Sequence, residues 1–211
     1  DIRSSLGLYF RWLYRIVDKI FERLILAVKS NADDGNSIVF VSLNWNAKLL
    51  NEAGVLKGRR KRCFMIVLNG GSSDETVRQR FYSVFDSVVE LSHACLPLIA
   101  ILIRRLRPAV FHVCGNMFFN YLVYLVLVNA GRARTVIDYD DYLLLNGRYG
   151  FFKSLVSDAV EALDFETSHL SLSMGSKLLF SLPPYAVGWL EERHAGIRDK
   201  YVTFLNWPVK L

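Results

Sequence analysis

The chain has 211 residues, of which 52% are hydrophobic and 22% are charged. This length suits one sizeable domain or at most two small ones, and the composition excludes a disordered tail or a low-complexity linker. The net charge of +6 is uneven, because residues 1–107 sum to +7 and residues 108–211 to −1. The basic half suggests a face turned to a membrane surface or a phosphate-bearing substrate, and ordinary solvation of a basic protein is the alternative.

The first thirty residues predict an amphipathic helix. Within 6–30, Arg11, Arg15 and Lys19 recur every four residues, and apolar and aromatic side chains cover the rest of the helix surface. Two interpretations remain open: the helix packs on the core or a partner domain, or it lies on an anionic membrane surface. No stretch reaches the roughly 18–20 uninterrupted apolar residues of a membrane span. We therefore divide the chain into a helix and linker at 1–36 and a domain at 37–211.

Short apolar runs alternate with helical runs throughout that domain. The apolar runs are nearly continuous, as expected for strands covered on both faces. This alternation predicts an α/β fold with an open, mostly parallel, seven-stranded Rossmann-like sheet and helices on both faces. We predict strands at 37–44, 62–69, 86–91, 109–115, 134–141, 177–182 and 201–208, and helices at 47–58, 73–85, 92–107, 117–131, 151–173 and 184–196.

Polar residues and glycines collect where the predicted strands end. In open parallel sheets, ligands bind beyond the carboxyl ends of the strands, so these positions are the candidate binding residues. They are Asn44, Asn46, Asn69, Gly70, Gly115, Asn116, Asp138, Asp140 and Asp141.

Several familiar sites are missing from the sequence. The segment SLNWNA (42–47), which follows the first strand, contains no glycine, and neither GxGxxG, GxxxxGK[ST] nor GxSxG occurs. A dinucleotide site, a P-loop and an ordinary α/β-hydrolase are therefore disfavoured, and we expect no cofactor. The basic run KGRRKR (57–62) lacks interleaved aromatic residues and favours a solvated loop, so we expect no nucleic-acid partner.

The three cysteines are Cys63, Cys95 and Cys114. Their number is odd and no pair has CxxC spacing, which argues against a disulfide framework and against a zinc site of the usual spacing. We expect all three to be buried, small hydrophobic residues and expect no metal.

Four residues are candidates for chemistry at the strand ends. His112 lies inside the fourth predicted strand and is either a core histidine or a general base. Asp138, Asp140 and Asp141 follow one another closely, so they need hydrogen-bond donors, a cation or solvent. Binding of substrate hydroxyl groups, a base, a metal site and helix capping all remain open for them.

The order of four segments resembles a known family. They are RLRPAVFHVCGN (105–116), VIDYDDYL (136–143), KLLFSLPPYAVGWLEE (177–192) and YVTFLNWPVKL (201–211). In order and spacing they are similar to the GT-B glycosyltransferases of the glycogen-synthase-like retaining group. The sequence departs from the family pattern at Cys114, where a second histidine is common, at Asp140, where a histidine is usual, and at Trp207, where a glycine follows the asparagine.

The resemblance implies that residues 37–211 are the acceptor-binding half of such an enzyme. A second domain, absent from this chain, would hold the nucleotide-sugar donor. Asp138 and Asp141 would hold or deprotonate an acceptor hydroxyl, and Gly115 would allow close approach of the backbone. The first helix and the basic half suggest a lipid-linked or membrane-surface acceptor. A non-catalytic Rossmann-like binding module is the main alternative, and a nucleotide-sugar epimerase or dehydrogenase is a further one.

Overall fold

The structure is a computed structural model, which describes residues 2–32, 35–68, 74–92, 95–115, 120–131, 133–139, 177–180, 188, 191–192 and 201–203. The chain divides into two compact units. The first unit comprises residues 1–111 and 128–133, and the second comprises residues 112–127 and 134–211.

The first unit contains most of the described helices and three complete strands. Its helices are α1 (Ile2–Ile20), α2 (Glu22–Lys29), α3 (Ala47–Gly58), α4 (Glu75–Val84) and α5 (Leu96–Leu106), and its strands are β1 (Ser37–Ser42), β2 (Arg62–Val67) and β3 (Ser87–Glu90).

Its three strands are paired in parallel. Strand β1 pairs with β2 from Ser37 opposite Arg62 to Ser42 opposite Val67. Strand β2 pairs with β3 on its other side, with Val67 opposite Glu90. Every residue of β1 and all but the first of β2 are buried, as expected for a parallel sheet covered on both faces.

The predicted first helix is two helices. Helix α1 ends at Ile20, and α2 begins after Phe21, whose φ of −109° and ψ of 16° are not helical. Helix α1 packs against α5, and α2 packs against α5 and β1. Leu13 and Val17 are buried, whereas Arg11 is exposed, so the helix is amphipathic. The prediction of one continuous helix over 6–30 was therefore wrong in detail.

The second unit contains most of β4 (Val110–Gly115) and α6 (Asn120–Asn129), together with β5 (Arg134–Tyr139), β6 (Lys177–Phe180) and β7 (Tyr201–Thr203). Strand β5 pairs in parallel with β6, and β6 pairs in parallel with β7. The predicted helices at 151–173 and 184–196 lie mainly outside the described residues.

The α/β class and the parallel pairing of the strands confirm the coarse prediction. Strands β1, β2 and β3 end before their predicted carboxyl ends, at Ser42, Val67 and Glu90. Strand β1, for example, ends at Ser42 because its hydroxyl donates to the backbone oxygen of Asn44, at 2.9 Å, in a turn that leaves the sheet. Among the described helices, none has both the length and the apolarity to cross a membrane.

Candidate functional site

The carboxyl end of β1 in the first unit carries two of the predicted binding residues. After Ser42 the backbone turns, and the N–H of Asn46 donates to the backbone oxygen of Asn44 at 3.1 Å. The side chain of Asn46 accepts a hydrogen bond from the N–H of Lys48 at 3.0 Å and so caps helix α3. Asn44 is exposed. Asn46 thus has a structural role at this edge, while Asn44 is open to a ligand.

Between these two asparagines, Trp45 packs into an aromatic cluster. Its ring meets that of Phe81 edge-on, with centroids 5.0 Å apart, and lies 6.3 Å from that of Tyr82. The guanidinium of Arg78 lies 5.8 Å from the centroid of the Trp45 ring, within cation–π distance. The cluster anchors the turn after β1 to helix α4.

The same cluster contains a charged network that the sequence analysis missed. Arg78 donates from Nη2 to both carboxylate oxygens of Glu90, at 2.6 and 2.8 Å, and the hydroxyl of Tyr82 donates to Glu90 at 2.5 Å. A glutamate ending an apolar strand, SVVE, was the available signal, because a carboxylate at that position needs a donor.

These bonds shift the pKa values of the network. Burial raises the pKa of Glu90, but the hydrogen bonds from Arg78 and Tyr82 outweigh burial, and the pKa lies below its usual value. The hydrogen bond to Glu90 raises the pKa of Arg78 and also that of Tyr82. All three groups therefore keep their usual charge states over a wider pH range.

In the second unit, the structure brings together two of the predicted catalytic residues. His112, on β4, is 6% exposed, and Asp138, on β5, is fully buried. Nε2 of His112 lies 3.7 Å from Oδ2 of Asp138, which is longer than a hydrogen bond. A carboxylate this close to an imidazole restricts the orientation of the ring.

The other predicted site residues are only partly described. Gly115 is the last residue of β4, as expected for a position at the carboxyl end of a strand. The remaining ones lie outside the described residues: Asn69, Gly70, Asn116, Asp140 and Asp141.

The cysteines fit the expectation of small hydrophobic residues for the most part. Cys63 and Cys114 are buried and Cys95 is half-buried, and all three are free thiols. Burial, with a smaller contribution from the charge of Asp86, raises the pKa of Cys63 to about 12. A thiol held in this form is a poor nucleophile and a poor metal ligand.

Comparison with known proteins gives one distant structural similarity. No protein-family model and no curated protein matches the chain. Among solved structures, the chain is similar to BdcA (YjgI) from E. coli at 11% sequence identity, over 79% of this chain and 96% of that one, with a TM-score of 0.48. A similarity at this level carries no information about activity.

Proposed function

We propose that the chain is the acceptor-binding half of a retaining, metal-independent GT-B glycosyltransferase. In this proposal its strands form one open, seven-stranded Rossmann-like sheet, and a second domain supplies the nucleotide-sugar donor. The observation that carries the proposal is the buried pair of His112 and Asp138, which lie 3.7 Å apart on consecutive strands. These two residues belong to two of the four sequence segments whose order resembles the family.

The pair suggests a division of roles. Asp138 is fully buried, so its carboxylate is a positioning group that would orient the imidazole of His112. His112 is the group that would take up the proton of an acceptor hydroxyl as its oxygen bonds to the donor sugar and the bond from that sugar to the nucleotide's phosphate breaks, releasing the nucleotide. Asp141 would hold the acceptor by accepting a hydrogen bond from a second hydroxyl group.

The remaining contacts would come from the turns after the strands. Asn44 is exposed after β1, and its amide offers both a donor and an acceptor to a sugar hydroxyl. Gly115 would let an acceptor approach the backbone closely. Asn69, Gly70, Asn116 and Asp140 complete the proposed acceptor site, and Asn46 would support it by capping α3.

The exposed side chains of helix α1 support the proposal that the acceptor lies at a membrane surface. Tyr9, Phe10 and Trp12 are 48%, 48% and 57% exposed, and exposed arginines accompany them on the helix. Aromatic side chains beside basic ones are typical of helices that lie in the interface of an anionic bilayer. We therefore propose that the protein works on the cytoplasmic face of a membrane, on a lipid-linked or glycolipid acceptor.

A transfer assay on the intact gene product tests the proposal. Membrane extract serves as acceptor, and radiolabelled nucleotide sugars serve as donors. We expect transfer of label to lipid, and Asp138→Asn and Asp141→Asn should each reduce it by at least about tenfold, since general acid–base groups contribute about 10² or more. The chain ending at Leu211 should transfer nothing. Transfer by that chain alone, or no transfer by the intact product from any nucleotide sugar, would overturn the proposal.

A non-catalytic binding module is the second candidate. The observations that favour it are the capping role of Asn46 and the complete burial of Asp138, because both give strand-end polar residues a structural explanation. In that case Asp138→Asn would lower the melting temperature, and the intact product would bind its ligand without turning over any donor.

A further inference from the structure

The first unit contains a cavity at the edge opposite to the proposed acceptor contacts on β1. It has a volume of about 730 Å³, and its walls include Ala32, Arg104, Arg107, Ala109 and Asn129. The backbone N–H of Ala109 donates to the hydroxyl of Ser37, the first residue of β1, at 3.0 Å. The cavity therefore lies at the amino end of β1, whereas Asn44 follows its carboxyl end.

A second cavity of about 350 Å³ adjoins the first, and the two share Arg104 and Asn129 in their walls. Its other walls are mainly apolar and aromatic, and they join helix α1 to helix α5. They are formed by Phe10, Tyr14, Pro97, Ala100 and Ile101. We call the two cavities together the α1–α5 groove. It is basic at one end and apolar at the other, and its apolar end opens beside the exposed aromatic residues of α1.

The charge at the basic end is not neutralised within the described residues. Arg105 is engaged, because it forms a two-fold ion pair with Asp18 at 2.6 Å. Arg104 and Arg107 are exposed, and no described acidic side chain pairs with either. Asp33 and Asp34, which follow Ala32 in the sequence, lie outside the described residues. The guanidinium groups thus offer hydrogen-bond donors and charge to an anion.

The backbone at Arg107 adds an independent observation. Arg107 ends helix α5 in the left-handed region, with φ 46° and ψ 56°. That conformation normally selects glycine and costs other residues about 1 kcal/mol. Arg104 and Arg105 in the last turn already complement the helix dipole, so an arginine beyond the helix is not needed for that purpose. Arg107 therefore occupies a backbone conformation that is unfavourable for arginine, at the wall of a cavity. This combination suggests that its guanidinium binds a ligand there.

We propose that the α1–α5 groove binds an anionic glycerophospholipid, an inference that rests on the membrane-surface location proposed above for α1. Arg104 and Arg107 bind the phosphate of the headgroup, and the apolar end beside Phe10 and Tyr14 receives the upper part of an acyl chain. The occupant is a membrane lipid because the cavity that contains the two arginines adjoins a mainly apolar cavity, which in turn borders the exposed aromatic residues of α1. This binding needs only the first unit, so it does not depend on glycosyl transfer.

The test is co-sedimentation of the full chain with vesicles of phosphatidylcholine, with or without about one-third phosphatidylglycerol. We expect binding only to the anionic vesicles. Arg107→Gly removes the guanidinium and relieves the left-handed backbone, so it should fold at least as well while binding about fivefold more weakly, the loss expected for one arginine at such a surface. Arg104→Ala should lose about as much. Arg80→Ala, at an exposed arginine on α4, is the matched control and should bind normally.

Three results would overturn the proposal. One is the absence of any preference for anionic vesicles. Another is an equal loss in Arg80→Ala and Arg107→Gly, which would show general charge attraction without a site. The third is tight binding of glycerol 3-phosphate in calorimetry that Arg107→Gly abolishes, while the same substitution leaves vesicle binding unchanged. That result would assign the cavity to a free phosphate compound. A loss confined to the two groove variants, together with weaker vesicle binding in Phe10→Ser, would support the lipid.

Discussion

Asp18 on α1 and Arg105 on α5 are joined by two hydrogen bonds of 2.6 Å, although 87 positions separate them in the sequence. The hydrogen bond to Asp18 raises the pKa of Arg105. This ion pair fixes how α1 lies on the first unit: Leu13 and Val17 face inward, while Tyr9, Phe10 and Trp12 remain exposed. It also engages one of the three arginines near the end of α5, leaving Arg104 and Arg107 for the groove.

Removing the ion pair should loosen α1 without unfolding the protein. Both side chains are more than one-third exposed, so Asp18→Asn should cost no more than about 1 kcal/mol. We expect faster amide hydrogen exchange in α1 and little change in β1 and β2. Glu22→Gln, at an exposed glutamate of α2, is the control and should leave exchange unaltered. Unchanged exchange in Asp18→Asn would show that apolar packing alone holds α1.

The capping role of Asn46 predicts separate effects for the two asparagines after β1. Asn46→Ala should lower the free energy of unfolding by about 1 kcal/mol, because the N–H of Lys48 loses its acceptor. The melting temperature should fall by about 2–4 °C. Asn46→Asp keeps the cap and should preserve stability. Asn44→Ala should leave the melting temperature unaltered but weaken binding of the sugar acceptor. If Asn44→Ala lowered the melting temperature as much as Asn46→Ala does, Asn44 would have a structural role.

The lowered pKa of Glu90 predicts that the folded protein loses stability in acid. Its pKa in the folded protein lies below the unfolded value, so the unfolded chain takes up the proton first as the pH falls. The stabilisation by Arg78 and Tyr82 is therefore present above about pH 4.5 and is lost below it. Glu90→Gln should be less stable than the wild type at neutral pH, and urea unfolding should show the difference shrinking towards pH 3. The control is Glu22→Gln, at an exposed glutamate of α2 that has no contact with Arg78, Tyr82 or Glu90, and it should show no such trend.

Cys63 should resist alkylation in the native protein. With a pKa of about 12, only about one thiol in ten thousand is ionised at pH 8, and the side chain is also buried. Iodoacetamide followed by peptide mass spectrometry should label Cys95 first and label Cys63 only after unfolding in guanidinium. Early labelling of Cys63 without denaturant would contradict the burial of β2.

The sequence was sufficient to predict the α/β class, because buried parallel strands appear as continuous apolar runs such as CFMIV (63–67). The cap at Asp74 was also predictable, since an acidic residue followed by a helical run is a local signal, and its side chain accepts from Thr76 at 3.0 Å. The pairing of Arg78 with Glu90 was not predictable. It depends on how α4 lies against β3, which no short-range pattern encodes.

The residues of the candidate site could be chosen from the sequence, but their arrangement in space could not. His112 and Asp138 were chosen separately for their positions in strands, and their proximity required the tertiary structure. The break of the first helix at Phe21 was missed because the apolar pattern continues across it, and only packing against α5 and β1 decides where the chain bends.

The most direct test of the glycosyltransferase account is a double-mutant cycle of His112→Gln and Asp138→Asn in the intact gene product, measured as kcat/KM for sugar transfer. The account predicts that His112→Gln lowers kcat/KM by about 10²–10⁴-fold. Because Asp138 acts through His112, the double variant should be no worse than His112→Gln alone. Full activity of His112→Gln, or losses that multiply in the double variant, would contradict the account.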